Sequence, residues 1–254
     1  MNNTVLITGA SAGLGEEFAW QLAALGYNLL LVARRVEKLD LLKAQLTKEY
    51  PQQAFLICAV DLNDSNAITS LQALIDIQQI ELVGLINNAG FGARGMFSDL
   101  SASLQQQMLQ VNIIALTRLT HAFIDHLKQQ QNSFIINVAS TAAFQAGPNL
   151  AVYYASKAFV LSFSEALHEE LKGEVAVSAL CPGATKTEFA DIAGMSDSLV
   201  FKLRVMDKKV VVQYALKNRH KAIVVPGLMN KFGVLAVKLL PRFISRKLAY
   251  QIQK

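Results

Sequence analysis

Along the 254 residues, short apolar runs alternate with stretches whose apolar positions recur at helical spacing. The runs are TVLIT (4–8), NLLLVA (28–33), AFLICAV (54–60), LVGLIN (82–87), SFIINVA (133–139), VAVSALC (175–181) and AIVV (222–225). Most are apolar at nearly every position instead of at every second one, the pattern of parallel strands covered by helices on both faces. Helical periodicity falls near 14–25, 36–48, 64–77, 101–129, 150–172 and 205–218. The alternation predicts a doubly wound, mostly parallel seven-stranded α/β sheet. No repeat, low-complexity stretch or Pro/Gly-rich linker interrupts it, so a single domain over 1–254 is expected.

From about residue 228 the chain becomes apolar and basic together, and Pro241 predicts a break between two helical segments. Lys231, Lys238 and Arg242, spaced by seven and four, share one face if the helix persists. The plainer use of these segments is to pack on the sheet and on a dimer partner, with the lysines left in water. The other is peripheral contact with anionic lipid or an acidic carrier protein.

Charge sharpens this contrast. The net charge of +5 hides an uneven distribution: residues 1–207 hold 13 Lys and Arg against all 19 Asp and Glu, a net of −6. Residues 208–254 hold 11 Lys and Arg and no acid, a net of +11. The tail carries no module that reads nucleic acid and little aromatic interleaving, so no nucleic-acid partner is expected. A hydrophobic fraction of 52% with 17% charged residues excludes a disordered chain. No apolar run approaches the roughly 18 residues of a membrane span. The N-terminus MNNTVLITGA lacks a basic n-region, and a cytoplasmic location is expected. Cys58 and Cys181 lie inside strand-like runs and are read as small buried residues. His121, His126, His168 and His220 have no ligand spacing, so no metal is predicted.

Between the first strand and first helix stands TGASAGLG (8–15), with Gly9, Gly13 and Gly15 around Ser11 and Leu14. A tight glycine turn lets backbone approach a pyrophosphate at the N-terminus of a helix, where free N–H groups and the helix dipole favour an anion. This strand–turn–helix context predicts a dinucleotide site. The second strand ends in Ala33, Arg34 and Arg35, where an enzyme selecting NAD places an acid for the ribose hydroxyl. Arg34 suits a 2′-phosphate, so NADP (NADPH) is the expected cofactor, while Arg35 is equally readable as a solvated surface charge. In AVYYASKAF (151–159), Tyr153 sits four residues before Lys157 and Tyr154 three; both spacings fit one helical face, so spacing alone does not choose between them.

With TGASAGLG, NNAG (87–90), the serine of NVAST (137–141) and YYASK (153–157) in order, residues 4 to about 190 resemble the short-chain dehydrogenase/reductase family. The resemblance implies a Rossmann-type fold, makes Tyr153 the catalytic tyrosine and Tyr154 its packing neighbour, and gives Lys157 two tasks, holding the nicotinamide ribose and lowering the tyrosine pKa. It assigns Ser140 to the substrate oxygen and Asn112 to a water linked to Lys157. On the cofactor side it implies Asp61 beside the adenine, Asn87, Ala89 and Gly90 along the adenine ribose and central sheet, and Pro182, Gly183, Thr185 and Thr187 near the nicotinamide and phosphates. The implied activity is NADPH-dependent hydride transfer between cofactor and a carbonyl or alcohol. The competing class is a non-catalytic NADP-binding sensor or scaffold on the same fold, a class that commonly loses the tyrosine or lysine retained here. The substrate loop is expected at 189–203, joined by Phe91, Met96, Phe144 and Tyr154; its apolar character predicts a small apolar carbonyl or alcohol. The C-terminal sequence departs from the glycine-rich strand that makes tetramer contacts in the family's oxoacyl-carrier-protein reductases. A homo-oligomer, as a homodimer, is the expected assembly.

Overall fold

The computed structural model describes residues 1–195 and 205–253. Seven parallel strands form one sheet: β1 (Thr4–Thr8), β2 (Asn28–Ala33), β3 (Phe55–Ala59), β4 (Leu82–Asn87), β5 (Phe134–Val138), β6 (Ala176–Leu180) and β7 (Ile223–Val224). Their order is β3-β2-β1-β4-β5-β6-β7. Each expected run is therefore a strand, though the outer runs are trimmed by a residue or two, and AIVV keeps only its central pair.

Along β1, Val5 and Ile7 join one apolar cluster while Leu6 joins the other, because successive side chains leave a strand on opposite faces. The first face is covered by α1 (Gly13–Ala24), α2 (Val36–Glu49) and α8 (Lys208–Lys217) through Phe18, Leu39 and Val211. The second is covered by α3 (Ala67–Ile77) and α5 (Leu116–Lys128) through Leu71 and Phe123. Helix α6 (Ala151–Glu170) packs beside β5 and β6, and a short α7 (Phe189–Ile192) follows β6.

The helical pattern at 101–129 is not one α-helix. It comprises α4 (Ala102–Leu109), a π-helical segment over Gln110–Ala115, and α5. Such widened segments are uncommon and cluster at functional sites; this one carries Asn112. Beyond β7, α9 (Leu228–Leu239) and α10 (Arg242–Gln253) are separated at Pro241 as expected. Since Arg242 opens the second helix, it does not continue a line of Lys231 and Lys238 along the first.

The strand order reverses between β1 and β4. At such a switch point the loops leaving adjacent strands diverge and open a crevice at their carboxyl ends. The segments after β1, β2, β4, β5 and β6 all emerge on that edge, which places the glycine turn, Arg34, NNAG, Ser140 and Pro182 together.

Candidate active site

A cavity of about 730 Å³ follows the carboxyl edge of the sheet. Under the β2 and β3 ends it is lined by Arg34, Arg35 and Asp61, then by Gly9, Ser11, Gly13 and Leu14 of the glycine turn, and beyond β4 to β6 by Ser140, Tyr153 and Lys157. Ala89, Gly90, Pro182, Gly183, Thr185 and Thr187 complete the expected set that borders it.

Three of the expected catalytic and cofactor residues do not line it. Gly15 lies beneath the turn, where an added Cβ would strike the Gly9 carbonyl and come 2.6 Å from Asn88 Nδ2. Its role is close packing of helix on turn. Asn87 is buried under the sheet edge, donating to Thr120 Oγ1 at 3.0 Å and Asn137 Oδ1 at 2.8 Å, so it joins β4 to its neighbours. Strand alternation turns it away from the crevice. Its neighbour Asn88 does border the cavity and was not anticipated: its side chain donates to the carbonyls of Thr8 (2.9 Å) and Gly9 (3.2 Å). Thr8 Oγ1 in turn accepts from the N–H groups of Asn88 and Ala89, both at 3.0 Å. These bonds tie the β1 and β4 ends together at the switch point. Gly9, at φ +65°, accommodates both the left-handed turn and Asn88, which would lie 2.8 Å from a Cβ.

Asn112 is the third. It is 1% exposed, and its amide donates to the Phe91 carbonyl and Ser156 Oγ, both at 3.0 Å, while its oxygen accepts from Phe91 N–H at 3.1 Å. The π-helical segment is thus clamped to the cavity-lining Phe91 and to α6.

The two tyrosines separate by environment. Both line the cavity and both are 8% exposed. Tyr154 packs against Gly147, where any Cβ would run into its ring. Tyr153 has the Lys157 ammonium 5.9 Å from its ring centroid and is hydrogen-bonded by Ser140. Burial pushes the Tyr153 phenol well above the usual tyrosine range, and the Ser140 hydroxyl partly opposes this. Ser140 also caps the 3₁₀ turn at Thr141–Phe144, its oxygen accepting from Ala142 N–H at 3.1 Å. A hydroxyl carries one donor and two acceptor positions, so capping leaves its O–H available to Tyr153. Burial lowers the Lys157 ammonium to about 8, and the group donates to the Val138 carbonyl at 2.7 Å. Beneath them Cys181 is wholly buried and pushed up to about 12 by desolvation. Cys58, expected to be buried, is only half so.

Arg35 is more than a surface charge. It donates to Ser11 Oγ at 3.2 and 3.3 Å and to Glu188 at 2.9 Å, while Lys38 meets the same carboxylate at 2.6 Å. Arg34 is the more exposed of the pair, 3.8 Å from Asp61. Nothing in the residue pattern at 34–35 announced the partner, since Glu188 lies more than 150 positions away.

The expected substrate wall is met in part. Phe91, Tyr154, Phe189, Ile192 and Met195 line the cavity, whereas residues 196–203 of the expected loop lie outside the described residues. Met96 is exposed, and Phe144 packs beneath the Lys238 ammonium, so neither borders the cavity. Their place is taken by α9, which contributes Met229, Asn230, Gly233, Val234 and Val237. Among the described residues no group of three or more His, Cys, Asp or Glu could hold a metal ion.

A parallel sheet with a glycine turn at its switch point and a Ser–Tyr–Lys group on the same edge defines a nucleotide-binding oxidoreductase fold. Residues 3–195 match the short chain dehydrogenase family, and the chain belongs to that family, whose oxidoreductases act on CH–OH and C=O groups. It is 36% identical over 192 residues to a sulfoacetaldehyde reductase of Chromohalobacter salexigens, covering 74% of this chain and 75% of that one. It is also 36% identical over 172 residues to a very-long-chain 3-oxoacyl-CoA reductase of Pyrenophora tritici-repentis, covering 66% of this chain and 50% of the relative. The chain thus spans about half the length of that second relative. Among solved structures, a short-chain dehydrogenase from Sphingobium yanoikuyae in complex with NADPH superposes with a TM-score of 0.82 at 33% identity, covering 92% of each chain. The fold is one that binds a nicotinamide cofactor.

Proposed function

We propose that this protein is an NADPH-dependent reductase of apolar carbonyl compounds, with Tyr153 as general acid. The observation that carries the proposal is the convergence of Ser140, Tyr153 and Lys157 in one cavity that extends to Arg34 and Arg35. The site fits a dinucleotide. The first turn of α1 has no side-chain cap, which leaves backbone N–H groups beside the cavity for a pyrophosphate, and the glycine turn cannot accept a Cβ at Gly9 without displacing Asn88. Arg34, Arg35, Asp61, Ser11, Thr185, Thr187 and Lys157 would hold the cofactor, which supplies the hydride.

When substrate binds, the Ser140 O–H turns from Tyr153 to the carbonyl oxygen and orients it, since the hydroxyl has one proton to donate. Tyr153 gives its proton to that oxygen as negative charge develops there, and the same group removes the proton in the reverse direction. A buried phenol holds its proton tightly in the apo protein. The developing phenolate needs cationic support, and Lys157 is the nearby residue that provides it. Asn112 holds Phe91 and α6 in place around this group. The apolar wall from Phe91, Phe189, Ile192, Met195 and α9 favours an apolar substrate over a sugar or a highly charged acid.

The test is oxidation of NADPH by purified protein across aldehydes, steroid ketones and 3-oxoacyl thioesters, with NADH in parallel. Turnover with a preferred carbonyl and with NADPH over NADH is the expected result. Arg34→Ala and Arg35→Ala should raise the KM for NADPH and leave that for NADH nearly unchanged. Tight NADPH binding without turnover on every substrate class would favour the sensor or scaffold alternative.

A further inference from the structure

The outer face of α9 and α10 is used by nothing described so far. On α9, Leu228, Phe232, Leu235 and Leu239 recur at i, i+4, i+7 and i+11, which aligns them in one stripe. Their exposures are 72, 65, 52 and 76%. The residues by which α9 lines the cavity fall on the opposite side of the same helix. One face is therefore committed to the cavity, while the other presents four large apolar side chains to solvent. On α10, exposed Phe243 is followed at i+3 and i+4 by exposed Arg246 and Lys247, whereas Ser245 and Ala249 turn inward and are buried.

Charge selects the occupant. Helices α9 and α10 carry Lys231, Lys238, Arg242, Arg246 and Lys247 and no acid. A second copy meeting this face about a two-fold axis would set that charge against itself. A bilayer rich in anionic lipid supplies opposite charge at the headgroups and an apolar layer immediately below, which suits an apolar stripe bordered by basic residues. Long basic side chains can lie along the apolar surface with their charged ends among phosphates. Among the described residues no helix is long and apolar enough to cross a membrane, so the contact would be peripheral.

We propose that the α9–α10 face docks on an anionic bilayer surface, with Leu228, Phe232, Leu235 and Leu239 entering the headgroup–acyl boundary. The full chain should co-sediment with vesicles of phosphatidylserine and phosphatidylcholine in roughly a 1:2 ratio and should not co-sediment with phosphatidylcholine alone. Binding should be lost near 1 M salt, where the Debye length falls to about 3 Å. A Leu235→Asp/Leu239→Asp variant should bind at least ~10-fold more weakly, since each leucine loses its burial in the lipid. Arg246→Gln and Lys247→Gln should each weaken binding about five-fold. All these positions are exposed and outside the cavity lining, so the melting curve and turnover of a soluble substrate should be retained and will show that the variants fold. Three results would overturn the proposal: no vesicle binding by the wild type at low salt, undiminished binding by the leucine variant, or conversion of a lipid-free dimer to monomer by that variant. The last would make the face a contact between copies. Retention by an acidic carrier protein, without vesicle binding, would give it to a protein partner.

Discussion

Replacing Lys157 by Met should stabilise the apo protein at neutral pH while removing its activity. Lys157 is 6% exposed, and burial lowers its ammonium from an ordinary 10.5 to about 8. At 1.36 kcal/mol per pH unit, holding that charge inside the fold costs about 3 kcal/mol at pH 7. Methionine has similar length and no charge, but it abandons the 2.7 Å bond from the ammonium to the buried Val138 carbonyl, a loss of about 2 kcal/mol. The variant should therefore be more stable by about 1 kcal/mol. The sign of the pH dependence is fixed. Below pH 8 the lysine is protonated in both states, and the full penalty applies. Between pH 8 and 10.5 the unfolded chain binds more protons than the native one, so wild-type stability rises with pH and the advantage of the variant shrinks. Cys181, raised to about 12, and Cys58, also raised, act in the opposite direction above pH 9 in both proteins, which makes the difference between them the proper readout. Urea unfolding at pH 7, 8, 9 and 10 and constant ionic strength measures it. A variant less stable than wild type at pH 7, or a difference that stays flat across this range, would show that the fold does not hold the Lys157 charge at a cost.

Gly15→Ala should destabilise the fold by about 3 kcal/mol and impair cofactor binding, because the new Cβ meets the backbone of Gly9, which no rotamer change can move aside; thermal melts and NADPH fluorescence titration check both effects. Asn112→Ala should lower stability by about 2 to 3 kcal/mol by leaving the Phe91 N–H and carbonyl without their partner. Asn112→Asp should lose at least as much, since its carboxylate keeps the bond from the N–H but sets buried negative charge against the Phe91 carbonyl, a loss readable in urea midpoints. Glu188→Gln should change stability by less than about 1 kcal/mol, as its ion pairs are largely exposed. It should also release Arg35 from a competing carboxylate, so that NADPH binds no more weakly and its salt dependence steepens.

The sheet was legible because parallel strands buried on both faces must be apolar almost throughout, as NLLLVA and LVGLIN are. The cavity border was legible where chemistry restricts residue type, as at Gly9, Ser140 and Lys157. Asn87 and Asn88 were harder to separate: both are asparagines, and only the pleat decides that the first turns into the sheet and the second toward Gly9. Apolar periodicity cannot register the widened turn at 110–115, since a π segment shifts the phase of a helix without breaking its polar–apolar alternation. Arg35 was left undecided, and the cavity face of α9 was missed, for a different reason. Their functional surroundings are made by residues distant in sequence, Glu188 for the arginine and the 3₁₀ turn at Thr141–Phe144 for the helix.

The most direct test of the central claim is to compare Tyr153→Phe with Tyr154→Phe in turnover on a preferred carbonyl, measuring NADPH affinity alongside. Both rings border the cavity, and Tyr153 combines the Ser140 hydrogen bond with the Lys157 ammonium over its ring. Tyr153→Phe should lose about 10²- to 10⁴-fold in kcat with NADPH affinity within about three-fold of wild type, while Tyr154→Phe should largely retain its kcat. Retained turnover in Tyr153→Phe together with loss in Tyr154→Phe would contradict Tyr153 as the general acid.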